Sequence, residues 1–130
     1  MASVITARIV VKEPDWRQHD TEHGHEWLHR QLELSDDEAA AVDALEPDYR
    51  SQRTALEQQF QQRIQTLRGL ILNSRELSPE VRHAIHELHL VHGQLQELSI
   101  QHYYEMLETL PPEKQGRLQE IAVKALSVPE

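Results

Sequence analysis

Residues 78–110 read SPEVRHAIHELHLVHGQLQELSIQHYYEMLETL. Ser78 is a typical N-cap and Pro79 suits the first helical position, while Pro111 and Pro112 end the segment. Between them, apolar residues recur at steps of three and four, which predicts one long helix with a buried face. The residues of that face are Val81, Ile85, Leu88, Val91, Leu95 and Leu98.

The same steps continue to His102 and Met106, so both side chains are predicted to point toward the helix that packs against this one. A single inward histidine is usually a hydrogen-bonded core residue, and a single inward methionine usually fills space. Imidazole and thioether groups are also ligands of transition metals. His102 and Met106 are therefore candidate ligands if further donors lie nearby.

The preceding segment, residues 35–73, is predicted to form the antiparallel partner helix. It starts with a capping box, in which Ser35 is followed three residues later by Glu38. Glu46 lies on the inward line of this helix, where a carboxylate costs several kcal/mol unless it is paired or bound to a cation. The whole inward line is Val42, Glu46, Tyr49, Leu56, Phe60, Ile64, Leu67 and Ile71.

Pro47 leaves two interpretations of Glu46. The proline ring and missing N–H could kink a continuous helix at Glu46. Alternatively, Glu46 ends a short helix, and Pro47 takes the first position of the next one. The local sequence supports both interpretations equally.

The segment His25-Glu26-Trp27-Leu28-His29 places two imidazoles four residues apart on a predicted first helix that runs to about Glu33. Residues at this spacing share one helical face, so both rings can bind one ion. In chain order, the helix at residues 35–73 is the second and the helix at residues 78–110 is the third. Their hairpin would bring the end of the third helix beside the start of the second helix and beside the first helix. The sequence therefore predicts a metal site, whose candidate residues are His25, His29, Glu46, His102 and Met106.

A row of histidines, spaced every third residue, runs along the third helix. Its members drift around the helix and flank the apolar line instead of joining it. Such a row is usually a solvated face, although neighbouring pairs could bind zinc or nickel weakly. The row consists of His83, His86, His89 and His92.

The composition indicates one all-α domain in a chain of 130 residues. Residues 1–19 are expected to be a flexible segment or anchor remnant, and residues 20–130 the helical domain, closed by a short helix from Pro112 to about Ser127. A net charge of −9 argues against nucleic acid, and the absence of cysteine excludes disulfides and thiolate sites. No run is long enough for a membrane span, so the domain is expected to be cytosolic or to follow an anchor.

With these residues in place, the chain resembles the CnrX-type metal sensors, which are periplasmic cobalt and nickel sensing domains of bacterial resistance systems. The resemblance covers about residues 20–128. It rests on His-Glu-x-x-His at 25–29, Glu46 seventeen residues after His29, and His102-x-x-Glu105-Met106. Pro47 departs from the pattern, since a helix former is expected there.

The resemblance implies a four-helix hooked hairpin with antiparallel long helices, a homodimer, and an N-terminal membrane anchor on the full-length protein. It implies three nitrogen ligands, from His25, His29 and His102, with Glu46 as an oxygen ligand and Met106 as a sulfur ligand. The ion would be Ni(II) or Co(II), with Zn(II) also bound. The partner would be a membrane-bound anti-sigma protein that controls metal-resistance genes.

Two other functions fit parts of the sequence. His-Glu-x-x-His is also the signature of zincin proteases, in which Glu26 would be the general base. The related Spy and CpxP-like periplasmic chaperones share a hooked helical hairpin, and their Leu-Thr-x-x-Gln motifs are loosely echoed at residues 34–38 and 110–115. A sensor requires inward metal ligands, whereas a chaperone does not.

Overall fold

The structure, a computed structural model, describes residues 22–126 and the side chains of residues 26–125. This part of the chain is all helical, which confirms the predicted fold class. The helices are α1 (Glu22–Leu32), α2 (Asp36–Asp43), α3 (Glu46–Asn73), α4 (Pro79–Thr109) and α5 (Pro112–Leu126). The predicted flexible segment at residues 1–19 lies outside the described residues. None of the described helices is both long and apolar enough to cross a membrane.

The chain divides into two compact units. Unit 1 takes in the described residues up to Leu45 and those from Tyr103 onward, and unit 2 takes in Glu46–His102. Unit 2 is therefore formed by α3 and by α4 up to His102. Unit 1 contains α1, α2, the last turns of α4 and α5.

Unit 2 is an antiparallel hairpin of the two long helices, as the sequence predicts. Tyr49 near the start of α3 lies beside Ser99 late in α4, whereas Arg63 further along α3 lies beside Glu87, which comes earlier in α4. The apolar seam between them is built on buried Phe60 and three residues of the predicted α4 face, with Leu56, Ile64 and Leu67 at its edge. The three α4 residues are Leu88, Val91 and Leu95. Ile71 was predicted to face inward, but it is 57% exposed at the end of α3.

Unit 1 has its own apolar core. The core joins α1, α2, the end of α4 and α5 through Leu28, Leu32, Val42, Met106, Leu110 and Leu118. A hydrogen bond of 2.9 Å between Arg117 and Gln31 also ties α5 to α1. The last helix, α5, buries Leu118 and Ala125.

The helix predicted for residues 35–73 is broken in two, because α2 ends at Asp43 and α3 begins at Glu46. The cause is Pro47, which has no N–H to donate and whose ring would clash with the carbonyl of Asp43, four residues back. In the first turn of α3 the missing N–H costs nothing. Of the two interpretations of Pro47, the one with a short helix before it is confirmed in part, because Glu46 begins α3 instead of ending the short helix and Pro47 is the second residue of α3.

The turn between α1 and α2 is fixed by backbone hydrogen bonds at both ends. At the end of α1, Glu33 has a φ of 51°, and the amides of Glu33 and Leu34 donate to the carbonyls of Arg30 and His29. This is a Schellman motif, which glycine usually terminates. At the start of α2 the predicted capping box is present, since Glu38 N donates to Ser35 Oγ at 3.2 Å and Ser35 N to Glu38 Oε1 at 2.9 Å.

Lys114 of α5 holds this turn from the other side. Its Nζ donates to the carbonyl oxygen of Glu33 at 2.6 Å and to the Glu38 carboxylate at 2.5 Å. The hydrogen bond from Lys114, followed by the backbone hydrogen bond from Ser35, holds the pKa of Glu38 below its ordinary value of 4.5. The ionised form of Glu38 is thus favoured by folding.

The variant Glu38→Gln is expected to lower the stability of the domain at pH 7 and to make the acid limb of its stability profile shallower. Because the folded-state pKa is depressed, the stabilisation from Glu38 is present above about pH 4.5 and is lost as the pH falls through the folded value. Thermal melts from pH 3 to pH 7 measure this. Glu80→Gln, at an exposed first-turn glutamate of α4, is the control, and identical profiles for Glu38→Gln and wild type would contradict the expectation.

Candidate metal centre

Glu46 and His102 face each other across unit 2. Glu46 is the first residue of α3, and His102 lies late in the antiparallel α4. Glu46 Oε1 is 3.4 Å from His102 Nε2. Glu46 is 6% exposed and His102 is 1% exposed, so a carboxylate and an imidazole share a site almost closed to water. The prediction that both residues point inward is confirmed.

The distance between these two atoms suits a shared ion. Charge-assisted hydrogen bonds between nitrogen and a carboxylate are shorter, at about 2.7–2.9 Å. Two ligand atoms each about 2.1 Å from one ion lie about 3.4 Å apart at a tetrahedral angle and about 3.0 Å apart at a right angle. The 3.4 Å between Glu46 Oε1 and His102 Nε2 matches the tetrahedral value and exceeds the right-angle value by about 0.4 Å. The separation of the two atoms is therefore compatible with two ligands of one tetrahedrally coordinated divalent ion.

Two further buried residues support this pair one turn away. The ring of Tyr49 stacks on His102, with centroids 4.0 Å apart and planes inclined by 7°. The Tyr49 hydroxyl lies 3.4 Å from Ser99 Oγ. Tyr49 follows Glu46 by three residues and Ser99 precedes His102 by three, so each pair shares a helical face. The inward periodicity of α3 includes Tyr49, but periodicity alone does not show that its ring lies on an imidazole.

In unit 1, the carboxylate of Asp43 lies against His29. Asp43 Oδ1 is 2.9 Å from His29 Nε2, and His29 is the less exposed of the two side chains. Metal-binding histidines commonly hold a carboxylate with one ring nitrogen, which fixes the ring orientation. Sequence reasoning missed Asp43. The only local signal for Asp43 is its position four residues before Pro47, where the proline ring would clash with its carbonyl and where the helix ends.

Met106 is 1% exposed and belongs to the apolar core of unit 1. Its inward orientation is as predicted. The other buried members of that core are aliphatic, so the packing role that a single inward methionine usually has is present in this structure. Its role as a sulfur ligand stays a prediction.

The five predicted ligands are distributed over both units. Glu46 and His102 lie in unit 2, where they meet. His29, Met106 and the backbone of His25 lie in unit 1, while the His25 side chain is outside the described residues. Among the described side chains, no three histidines, aspartates or glutamates form a cluster of metal-binding geometry. The His25 side chain is outside the described residues and the Met106 thioether is not one of these groups, so the five-residue site stays a prediction.

The row of histidines on α4 is mainly a solvated face. His83, His86 and His89 are exposed. His92 is partly buried, and its ring lies 6.0 Å from that of Phe60 at an angle of 44°. The predicted position of the row beside the apolar seam is thus confirmed, and weak metal binding there stays a prediction.

The sequence matches the model of a protein family described as heavy-metal resistance over residues 1–117. This match includes all five predicted ligands, the whole of α1 to α4 and the first residues of α5. No curated protein matches the chain significantly.

Proposed function

The chain belongs to the heavy-metal resistance family, and from this premise we propose that it is a metal-binding sensor domain that detects Ni(II) or Co(II). Zn(II) would also bind, because imidazole and carboxylate groups accept it. The proposed ligands are His25, His29, Glu46, His102 and Met106. The domain regulates by binding and catalyses no reaction.

The observation that carries the proposal is the buried pair of Glu46 and His102. Removing a carboxylate from water costs several kcal/mol, which an ion pair recovers only when its geometry is excellent. At 3.4 Å between Glu46 Oε1 and His102 Nε2, the pair is longer than a strong charge-assisted hydrogen bond. A divalent cation held by both groups would offset the cost of burying the carboxylate.

An ion held by Glu46 and His102 alone would have open coordination positions, and the histidines of α1 would supply nitrogen ligands for them. His25 and His29 are one helical turn apart. Asp43, 2.9 Å from His29 Nε2, is suited to fix that ring while its other nitrogen binds the ion. A metal bound by these residues would draw ligands from α1, α3 and α4, and so its binding would be coupled to the arrangement of those helices.

That coupling is the proposed signal. The protein is proposed to be periplasmic, anchored to the membrane and homodimeric, and to pass the metal-bound state to a membrane-bound anti-sigma protein that controls metal-resistance genes. An acidic domain with a net charge of −9 favours cations as ligands.

Ni(II) and Co(II) readily accept six ligands, whereas Zn(II) favours four or five, so coordination number can separate them.

Isothermal calorimetry on ligand variants tests the proposal. Glu46→Gln and His29→Ala are each expected to weaken Ni(II) or Co(II) binding at least tenfold, which is about 1.4 kcal/mol. His86→Ala and His89→Ala remove exposed imidazoles from α4 and are the matched controls, with little change expected. Equal losses in both groups would place the main site on the surface row and overturn the proposal.

Met106 is proposed to join the coordination of Ni(II) or Co(II) but not that of Zn(II). Its thioether is a weak, uncharged ligand, and recruiting it from the apolar core of unit 1 would shift α4. Met106→Leu keeps volume and apolarity, so stability and Zn(II) affinity should change little. The Co(II) absorption spectrum should lose its sulfur contribution in this variant. Indistinguishable Co(II) spectra of wild type and Met106→Leu would exclude the sulfur ligand.

A further inference from the structure

Tyr49 stacks on His102, and the five predicted ligands do not include it. Its ring lies parallel to the imidazole, with centroids 4.0 Å apart and planes inclined by 7°. Tyr49 and His102 are 3% and 1% exposed. The contact therefore involves two whole ring faces shielded from water, in the same unit as Glu46.

We propose that Tyr49 is a positioning residue of the metal site, which holds the His102 imidazole in the orientation that binds the ion. This inference rests on the proposed function. An imidazole binds a metal through a lone pair in the plane of its ring, so rotation of the ring turns that lone pair away. A parallel ring at 4.0 Å opposes this rotation while His102 Nε2 lies 3.4 Å from Glu46 Oε1.

Tyr49 is itself held in place. Its hydroxyl lies 3.4 Å from Ser99 Oγ, on the same face of α4 as His102. Its backbone belongs to the first turn of α3, three residues after Glu46. The carboxylate, the imidazole and the aromatic ring are thus fixed to one another by two antiparallel helices. Such supporting contacts change metal affinity by about 10–100-fold in other metal sites.

The stack also favours the metal-bound state directly. An imidazole that binds a divalent cation gains positive charge, and the face of an aromatic ring attracts positive charge. The contact between Tyr49 and His102 should therefore be stronger with metal than without it. A residue that only filled space would show no such difference.

The test compares Tyr49→Leu with Tyr49→Phe. Leucine keeps an apolar side chain but removes the aromatic face, so Ni(II) affinity is expected to fall about tenfold and Ni(II) release to a chelator to accelerate. Phenylalanine keeps the face and loses only the hydroxyl, so it is expected to restore most of that affinity. Tyr49→Met, whose flexible side chain fills irregular space, serves if the leucine variant does not fold.

Phe60→Leu is the matched control. Phe60 lies on the same helix as Tyr49 and also contacts a histidine of α4, since its ring is 6.0 Å from that of His92. Its replacement should affect the hairpin in a similar way without changing Ni(II) affinity. Equal losses of affinity in Tyr49→Leu and Phe60→Leu would overturn the positioning role, as would wild-type affinity in a folded Tyr49→Leu.

A second measurement needs no metal. In NMR spectra of the metal-free protein, the ring protons of His102 should be shifted upfield by the stacked Tyr49 ring, and they should move downfield in Tyr49→Leu but not in Tyr49→Phe. Unchanged shifts in Tyr49→Leu would contradict the stack.

Glu46→Gln separates the two proposals: if it weakens Ni(II) binding while Tyr49→Leu does not, only the positioning role fails. If neither does, the proposed function fails too.

Discussion

His102→Ala is expected to lower the affinity for Ni(II) at least a hundredfold, about 2.7 kcal/mol, in calorimetric titrations. His102 is the most buried of the proposed ligands in unit 2, with 1% exposure, and Glu46 and Tyr49 both lie against it. Residues that only support a ligand already contribute about 10–100-fold to metal affinity, so losing a direct ligand should cost at least the upper value.

Two controls separate this effect from damage to the fold. His86→Ala removes an exposed imidazole from the same helix and should leave Ni(II) affinity within about threefold of wild type. The truncation at His102 leaves a cavity and a buried carboxylate, so each titration is paired with a melt of the metal-free protein. Wild-type affinity in a folded His102→Ala protein would exclude His102 as a ligand.

Metal is expected to stabilise the wild-type fold strongly. The proposed ligands come from helices that the unfolded chain cannot gather, so binding free energy adds to the free energy of unfolding. With free Ni(II) at about one hundred times Kd the gain is about 2.7 kcal/mol. For a domain of this size that raises Tm by about 10 °C.

The rise in Tm should require at least one equivalent of metal per chain, should grow logarithmically with free metal beyond that, and should be reversed by a chelator. In Glu46→Gln, whose side chain is nearly isosteric but uncharged, most of the rise should disappear. A melt of wild type that is indifferent to Ni(II), Co(II) and Zn(II) would instead favour a chaperone related to Spy and CpxP, whose function needs no metal.

The helices could be predicted from the sequence because their signals are local. Ser35 and Ser78 each accept a hydrogen bond from the backbone three residues on, as their positions indicate. The apolar residues of α4 recur at steps of three and four throughout that helix. Its buried face could therefore be predicted without knowing which helix packs against it. The turn at Glu33 was not predictable in this way, because a φ of 51° is most often found at glycine.

The break before Glu46 shows what local sequence leaves open. Pro47 removes the same hydrogen bond whether it kinks a continuous helix or begins a new one. The choice depends on which apolar core each side of the proline joins. Val42 of α2 packs in the core of unit 1, whereas Tyr49 of α3 is buried in unit 2, so the break separates residues of two cores.

The candidate site was predictable as a set of inward residues but not as a set of contacts. Periodicity placed Glu46 and His102 on facing lines, and they lie 3.4 Å apart. It could not show that Tyr49 stacks on His102, or that Asp43 lies 2.9 Å from His29, because both contacts join residues distant in sequence. Such partners depend on the packing of whole helices.

Anomalous diffraction at the nickel edge, from crystals of the Ni(II)-loaded protein, tests the central claim most directly. The account predicts one strong peak per chain, at about 2.0–2.2 Å from His102 Nε2 and from an oxygen of Glu46. The remaining ligands around this peak should include His25 and His29. A strongest peak among His83, His86, His89 and His92, with none between Glu46 and His102, would contradict the account.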